Sequence, residues 1–165
     1  MYFGYAAGSW YAYNGGGVGP ICLPDPKSMA LQYLKTEPGF QSEALIYAAE
    51  YETNRFTPLK NVHNTKVPCA VCEVAGRSAT VKIPGVLQCP AGWRVEYKGY
   101  LMTSHKTQLS QSDFSCVDED AKSLADNFPS TDGHLFYAIE IDKWPGLCPP
   151  FECEGKELSC VVCTK

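Results

Sequence analysis

Leu45-Ile46-Tyr47-Ala48-Ala49-Glu50-Tyr51-Glu52 returns 90 residues later as Leu135-Phe136-Tyr137-Ala138-Ile139-Glu140-Ile141-Asp142. Outward from this pair, Gly4-Tyr5-Ala6-Ala7-Gly8-Ser9-Trp10 is answered by Gly99-Tyr100-Leu101-Met102-Thr103-Ser104-His105. Cys22 is answered by Cys116, and Cys69-Ala70-Val71-Cys72 by Cys160-Val161-Val162-Cys163. The offsets of 95, 94, 90 and 91 residues are nearly constant, and four ordered matches exceed chance. They predict a duplicated half of about 75 residues, too long for a solenoid repeat. One domain over 1–165 is expected, built of repeats at about 1–76 and 85–165. Ser78-Ala79-Thr80-Val81-Lys82-Ile83 is the expected connecting strand.

The matched segments are rich in Tyr, Val, Ile and Phe and read as strands. Only Asp118 to Leu124 looks briefly helical, and Pro129 stops any continuation. Dense Gly and Pro at 14–20, 24–26 and 145–150 predict loops. The expected fold is mostly β and disulfide-rich, with two halves related by a pseudo-twofold axis.

With 45% hydrophobic and 19% charged residues, the 165-residue chain is not disordered. No apolar run approaches about 18 residues, so membrane insertion is not expected. A net charge of −4 without a basic stripe argues against a nucleic-acid partner. Nine cysteines imply either disulfides or metal-binding thiolates. The two C-x-x-C pairs lie 91 residues apart, whereas a zinc ribbon spaces its pairs by roughly 15–20. In a strand, cysteines at i and i+3 face opposite sides and seek different partners. A thioredoxin-like βαβ context is missing. Structural disulfides in a secreted, extracellular protein follow. The start Met1-Tyr2-Phe3-Gly4-Tyr5 has neither the basic nor the apolar region of a signal peptide, so a mature chain is expected. The odd count leaves a free thiol or a bond to another chain.

Catalytic signatures are sparse. No G-x-S-x-G elbow, P-loop or dinucleotide fingerprint occurs. His63, His105 and His134 lack spaced Ser or Asp partners and read as surface or hydrogen-bonded residues. Two carboxylates across a cleft could serve a glycosidase, but 18 acidic residues make such a pair inevitable. An enzyme is not expected. Asp118, Glu119 and Asp120 directly follow Cys116-Val117. They are either helix-capping acids or calcium ligands, since calcium takes six to eight oxygens. Asp132, in Ser130-Thr131-Asp132-Gly133, belongs to a turn or a site. Glu50 and Glu52 share one strand face at period two, near Asn54-Arg55, with Glu140 and Asp142 as their counterparts. For an aromatic plate against a sugar, Trp144 in Lys143-Trp144-Pro145-Gly146 and His134 are the candidates. Trp93 reads as core, and Trp10 is open between core and surface.

Cys89-Pro90-Ala91-Gly92-Trp93, followed by Tyr97-Lys98-Gly99-Tyr100-Leu101-Met102, resembles the C-P-x-G-W…G-Y motif of the non-collagenous C-terminal domain of type IV collagen. That domain is itself a disulfide-rich β duplication. The chain more closely resembles the spongin-type short-chain collagens and their collagen-free secreted relatives. The matching motifs are Gly15-Gly16-Gly17, Cys22-Leu23-Pro24, Pro68-Cys69-Ala70-Val71-Cys72, Cys148-Pro149-Pro150 and Cys160-Val161-Val162-Cys163-Thr164-Lys165. No Gly-X-Y tract is present, so this chain forms no triple helix.

The resemblance implies four pairs: Cys89 with Cys163, Cys116 with Cys160, Cys148 with Cys153, and Cys22 with Cys69. The counterpart expected for Cys72 would precede Gly4, where the chain begins too late to hold it. Cys72 is therefore expected in an intermolecular disulfide, although a swap of Cys69 with Cys72 stays open. The whole-chain profile also resembles the galactose-specific lectins of sea anemones. That likeness implies calcium-dependent recognition of galactose-containing glycans by a disulfide-linked homodimer. The alternative expectation is an extracellular-matrix assembly module of the collagen C-terminal type, without sugar binding.

Overall fold

A computed structural model describes residues 1–34, 38–40, 42–124, 129–142 and 153–165. The chain is mostly β. Its strands are β1 (Tyr2–Gly8), β2 (Ile21–Pro24), β3 (Tyr47–Tyr51), β4 (Pro68–Val71), β5 (Thr80–Pro84), β6 (Arg94–Thr103), β7 (Ser115–Asp118), β8 (His134–Ala138) and β9 (Ser159–Thr164). They join one sheet in the order β2-β1-β3-β8-β6-β9-β5, with β4 also on β1 and β7 also on β6.

Two long strands organise this sheet. Along β1, Gly4 faces Pro24 of β2 on one edge and Cys69 of β4 on the other, and Ala7 faces Ile21 and Ala48 of β3. Along β6, Gly99 faces Asp118 of β7 and Cys160 of β9, and Met102 faces Ser115 and Ala138 of β8. Each long strand thus carries one short antiparallel partner on one edge and two on the other. The two groups meet through β3 and β8, which pair in parallel from Ala49–His134 to Tyr51–Phe136.

The disulfides follow from this arrangement. Cys22–Cys69 ties β2 to β4 across β1, and Cys116–Cys160 ties β7 to β9 across β6. Cys89–Cys163 anchors the segment before β6 to β9. These are three of the four pairs that the resemblance implied. Cys153 is also disulfide-bonded; Cys148, its expected partner, lies outside the described residues, and Cys72 is free and exposed. The β1 and β6 backbones run so close to β2 and β7 that a Cβ on Gly4 or Gly99 would sit 1.8 Å from Leu23 O or 1.7 Å from Val117 O.

One apolar cluster draws on both groups. Ala6, Ala49, Tyr51, Phe56, Leu59, Val62 and Val67 pack with Met102, Ala121 and Phe136. Burial at the β3–β8 seam is what joins the two ends of the sequence.

The short helix expected from Asp118 to Leu124 is not formed. Asp118 stays in the β7 ladder, its Oδ1 accepts from Asp120 N at 2.9 Å, and the chain turns there. An Asx turn competes with helix for the same backbone donors. The helical stretch among the described residues is instead a 3-10 segment at Thr57–Val62 with Pro58 in its first turn. Pro24, expected in a loop, closes β2. No described helix is long and apolar enough to cross a membrane.

Candidate functional site

Three segments converge where the 130–133 loop enters β8. Tyr11 N donates to Gly133 O at 3.0 Å, and Tyr11 O accepts from Ser110 N at 3.1 Å. Tyr11 is therefore stitched between the 104–112 turn and the 130–133 loop. His134 reinforces the same junction from beneath. It is 3% exposed, its Nδ1 is 3.0 Å from Ser9 O, and its Nε2 is 3.0 Å from Ser112 Oγ. A carbonyl only accepts, so Nδ1 carries the proton and Nε2 accepts from the serine. Burial favours the neutral ring and pushes the imidazole below its ordinary value, outweighing the Ser9 hydrogen bond, which favours the protonated one. Gly8 makes room for it, because a Cβ there would meet the ring at 2.6 Å.

The 130–133 loop is held by a buried charge. Glu50 is fully buried, and its Oε1 accepts from Lys66 Nζ at 2.5 Å, Thr131 N at 2.9 Å and Thr131 Oγ1 at 2.7 Å. Burial alone would raise this carboxyl, but Lys66 and Thr131 outweigh it and hold it at about 2. The next residue along, Asp132, adopts a left-handed φ of 48°, a conformation that Asp tolerates better than most residues.

These supports surround a cavity of about 330 Å³ lined by Tyr11, Glu52, His105, Gln108, Asp132 and Tyr137, among others. The His105 and Tyr137 rings lie 5.1 Å apart and tilted at 51°. Gln108 is oriented by its Oε1, which accepts from His105 N at 3.1 Å. Glu52 leaves β3 with its N–H on Phe136 O at 2.8 Å, and its Oε2 lies 3.8 Å from His63 Nδ1. Burial raises the Glu52 carboxyl; His63 opposes this, and Asp132 and Glu50 add to it. Burial likewise raises the Tyr137 phenol, followed by the charges of Glu52 and Asp132. The cavity therefore combines aromatic faces, an amide and two mutually repelling carboxylates. A second hollow of about 410 Å³ shares Glu52, His105 and Tyr137 and continues to Arg55 and Glu140.

Among the expected site residues, Asp132 lines the cavity. His134 does not offer a plate: both ring nitrogens are engaged, and the ring is a buried strut beneath the site. Trp144 lies outside the described residues. Glu50 and Glu52 do not act as a paired face, because Glu50 is consumed by Lys66 and Thr131 while Glu52 reaches the cavity. Asp118, Glu119 and Asp120 are exposed at the end of β7, away from the cavity lining. Among the described residues no three His, Cys, Asp or Glu side chains gather to hold a metal. Trp93, expected in the core, and Trp10 are both half-buried. Tyr11, His105, Gln108 and Tyr137 were not singled out by sequence. The sequence offsets of 95 and 90 residues match His105 to Trp10 and Tyr137 to Tyr47.

No family model, curated protein or solved structure matches this chain.

Proposed function

We propose that the protein is a secreted lectin that binds galactose-containing glycans with calcium, acting as a disulfide-linked homodimer. The observation that carries this reading is the cavity in which the His105 and Tyr137 rings meet the carboxylates of Glu52 and Asp132 and the amide of Gln108. A sugar ring presents an apolar face to aromatic carbon and its hydroxyls to hydrogen-bonding groups. A cavity near 330 Å³ lies at the small end of ligand clefts, which span about 300–1,000 Å³. Glu52 and Asp132 are the carboxylates that would hold the calcium, whose charge would relieve their repulsion. Backbone carbonyls, water and sugar hydroxyls would supply its other oxygens. The disulfides fit an extracellular protein.

In the same proposal the chain is two copies of one half, related to the spongin-type and type IV collagen C-terminal domains. The matching partners of Gly4 and Gly99, and of Ala7 and Met102, support it. An extracellular-matrix assembly module is the second reading, favoured by exposed Cys72 beside exposed Val71 at the end of β4.

Erythrocyte agglutination separates the two. The lectin predicts clumping that is lost with EDTA and with free galactose. The assembly module predicts higher-order oligomers that ignore both. Absence of binding across a broad glycan array would overturn the lectin.

A further inference from the structure

The register of the sheet sets a second aromatic pair in the place of the first. Tyr137 of β8 faces Thr103 of β6, and His105 follows two residues later. Tyr47 of β3 faces Gly8 of β1, and Trp10 follows two residues later. The His105 and Tyr137 rings are 5.1 Å apart, and the Trp10 and Tyr47 rings 6.2 Å. Beside each pair lies a hollow. The one near Trp10 and Tyr47 measures about 620 Å³, and its lining includes Tyr13, Gly16, Phe40, Ser42, Glu43 and Leu45.

The walls correspond as well. By the sequence offsets, Tyr13 stands for Gln108, Ser42 for Asp132 and Leu45 for Leu135, and all of these line one hollow or the other. Each hollow carries an acidic residue in the left-handed region, Asp132 three residues before Leu135 at φ 48° and Glu43 two residues before Leu45 at φ 51°. The second hollow is also organised. Tyr13 and Tyr47 share a hydroxyl hydrogen bond at 3.1 Å, and Trp10 meets the Tyr13 ring edge-on at 4.9 Å. Phe40 stands 82% exposed in its lining. Tyr13 and Phe40 line the hollow, and the Trp10 and Tyr47 rings lie against Tyr13 at 4.9 and 6.0 Å; apolar faces with polar tips are typical of recognition surfaces.

We infer that each chain carries a second glycan site, at Trp10, Tyr13 and Tyr47, in addition to the site at His105 and Tyr137. The inference rests on the sugar-binding reading of the first cavity. The second site has Tyr13 in place of the Gln108 amide and Ser42 in place of the Asp132 carboxylate. With one carboxylate, Glu43, against Glu52 and Asp132 in the first, it grips a neutral sugar more by its rings and less by charge, and it binds more weakly.

Calorimetric titration with galactose, calcium present, counts the sites. The wild type is expected to bind two sugars per chain, in a tighter and a weaker class. Tyr137→Ala should remove the tighter class and Tyr13→Ala should weaken the other about 3- to 10-fold. Tyr13→Ala cuts back an exposed side chain outside the strands, so the fold is kept. Trp10 fluorescence reports the weaker site directly, and its sugar-induced change should vanish in Trp10→Phe and persist in Tyr137→Ala. One sugar per chain, lost in Tyr137→Ala and untouched by Tyr13→Ala, overturns the second site and leaves the first standing. One sugar per chain with the reverse pattern supports the second site and overturns the first. No galactose bound at all overturns both.

Discussion

Glu50 is a charge buried for position. Its carboxyl stands at about 2 against an ordinary 4.5, so the folded chain holds this proton less tightly than the unfolded one. The resulting stability is complete above pH 4.5 and drains away as pH falls toward 2, by about 3 kcal/mol in all. Lys66→Met strands the carboxylate and should cost about 3–5 kcal/mol in urea unfolding at pH 7. Glu50→Met with Lys66→Met should restore most of that loss, because an apolar pair replaces an ion pair with little penalty. The double variant also releases Thr131, so Asp132 is no longer held and sugar affinity should stay low after stability returns. Recovery of both together would show that the pair does not position the loop. His134 has the same sign. Its folded value is pushed below 6.5, so it adds stability above pH 6.5 that is lost as pH drops below. A urea midpoint that falls between pH 7.5 and 5.5 in the wild type should flatten there in His134→Gln.

At the scale of strands, two glycines hold the register. Gly99 and Gly4 sit where β7 and β2 press on the long strands, and an added Cβ would strike carbonyl oxygen at 1.7 and 1.8 Å. Gly99→Ala should therefore cost at least about 1–3 kcal/mol, read as a lowered thermal midpoint. Gly15→Ala, with nothing within 4 Å, is the neutral control. These glycines are also what the sequence made legible. Each opens a segment that recurs in the sequence and reads as a strand from its Tyr, Ala and Leu content, whereas the pairing of the strands is not written there. The helix expected from Asp118 to Leu124 failed for a local reason, since the Asp118 carboxylate takes the Asp120 N–H and turns the chain. The cavity stayed hidden for a different reason. Tyr11 is placed by backbone bonds to Gly133 and Ser110, and β8 sets Tyr137 against β6 and so beside His105, contacts between distant residues that no local pattern records. Glu50 and Glu52 looked alike by period, but β3 ends at Tyr51, so only Glu50 keeps its place over the core.

For the whole molecule, the decisive group is the one thiol without a bridge among the described residues. In the second half, Cys163 of β9 is closed by Cys89. Cys72 holds the matching place just beyond β4 and is exposed. Burial does not protect it, so oxidation in an extracellular setting should join two chains there. A non-reducing gel should show a species of twice the 18.1 kDa chain mass, collapsing to single mass with reductant. Cys72→Ser should remove the doubled band while leaving the thermal midpoint nearly unchanged, since no contact within the chain is lost. The separation of function is sharper still. Galactose affinity per site should be the same in Cys72→Ser and wild type, because the cavity lies among Tyr11, Glu52 and Tyr137 rather than at β4. Agglutination should fall steeply, because linking binding units raises avidity by about 10²–10⁴ without any new contact. A Cys72→Ser chain that still ran at double mass would place the dimer elsewhere on the surface. One that lost per-site affinity along with the doubled band would mean that the partner chain completes the cavity.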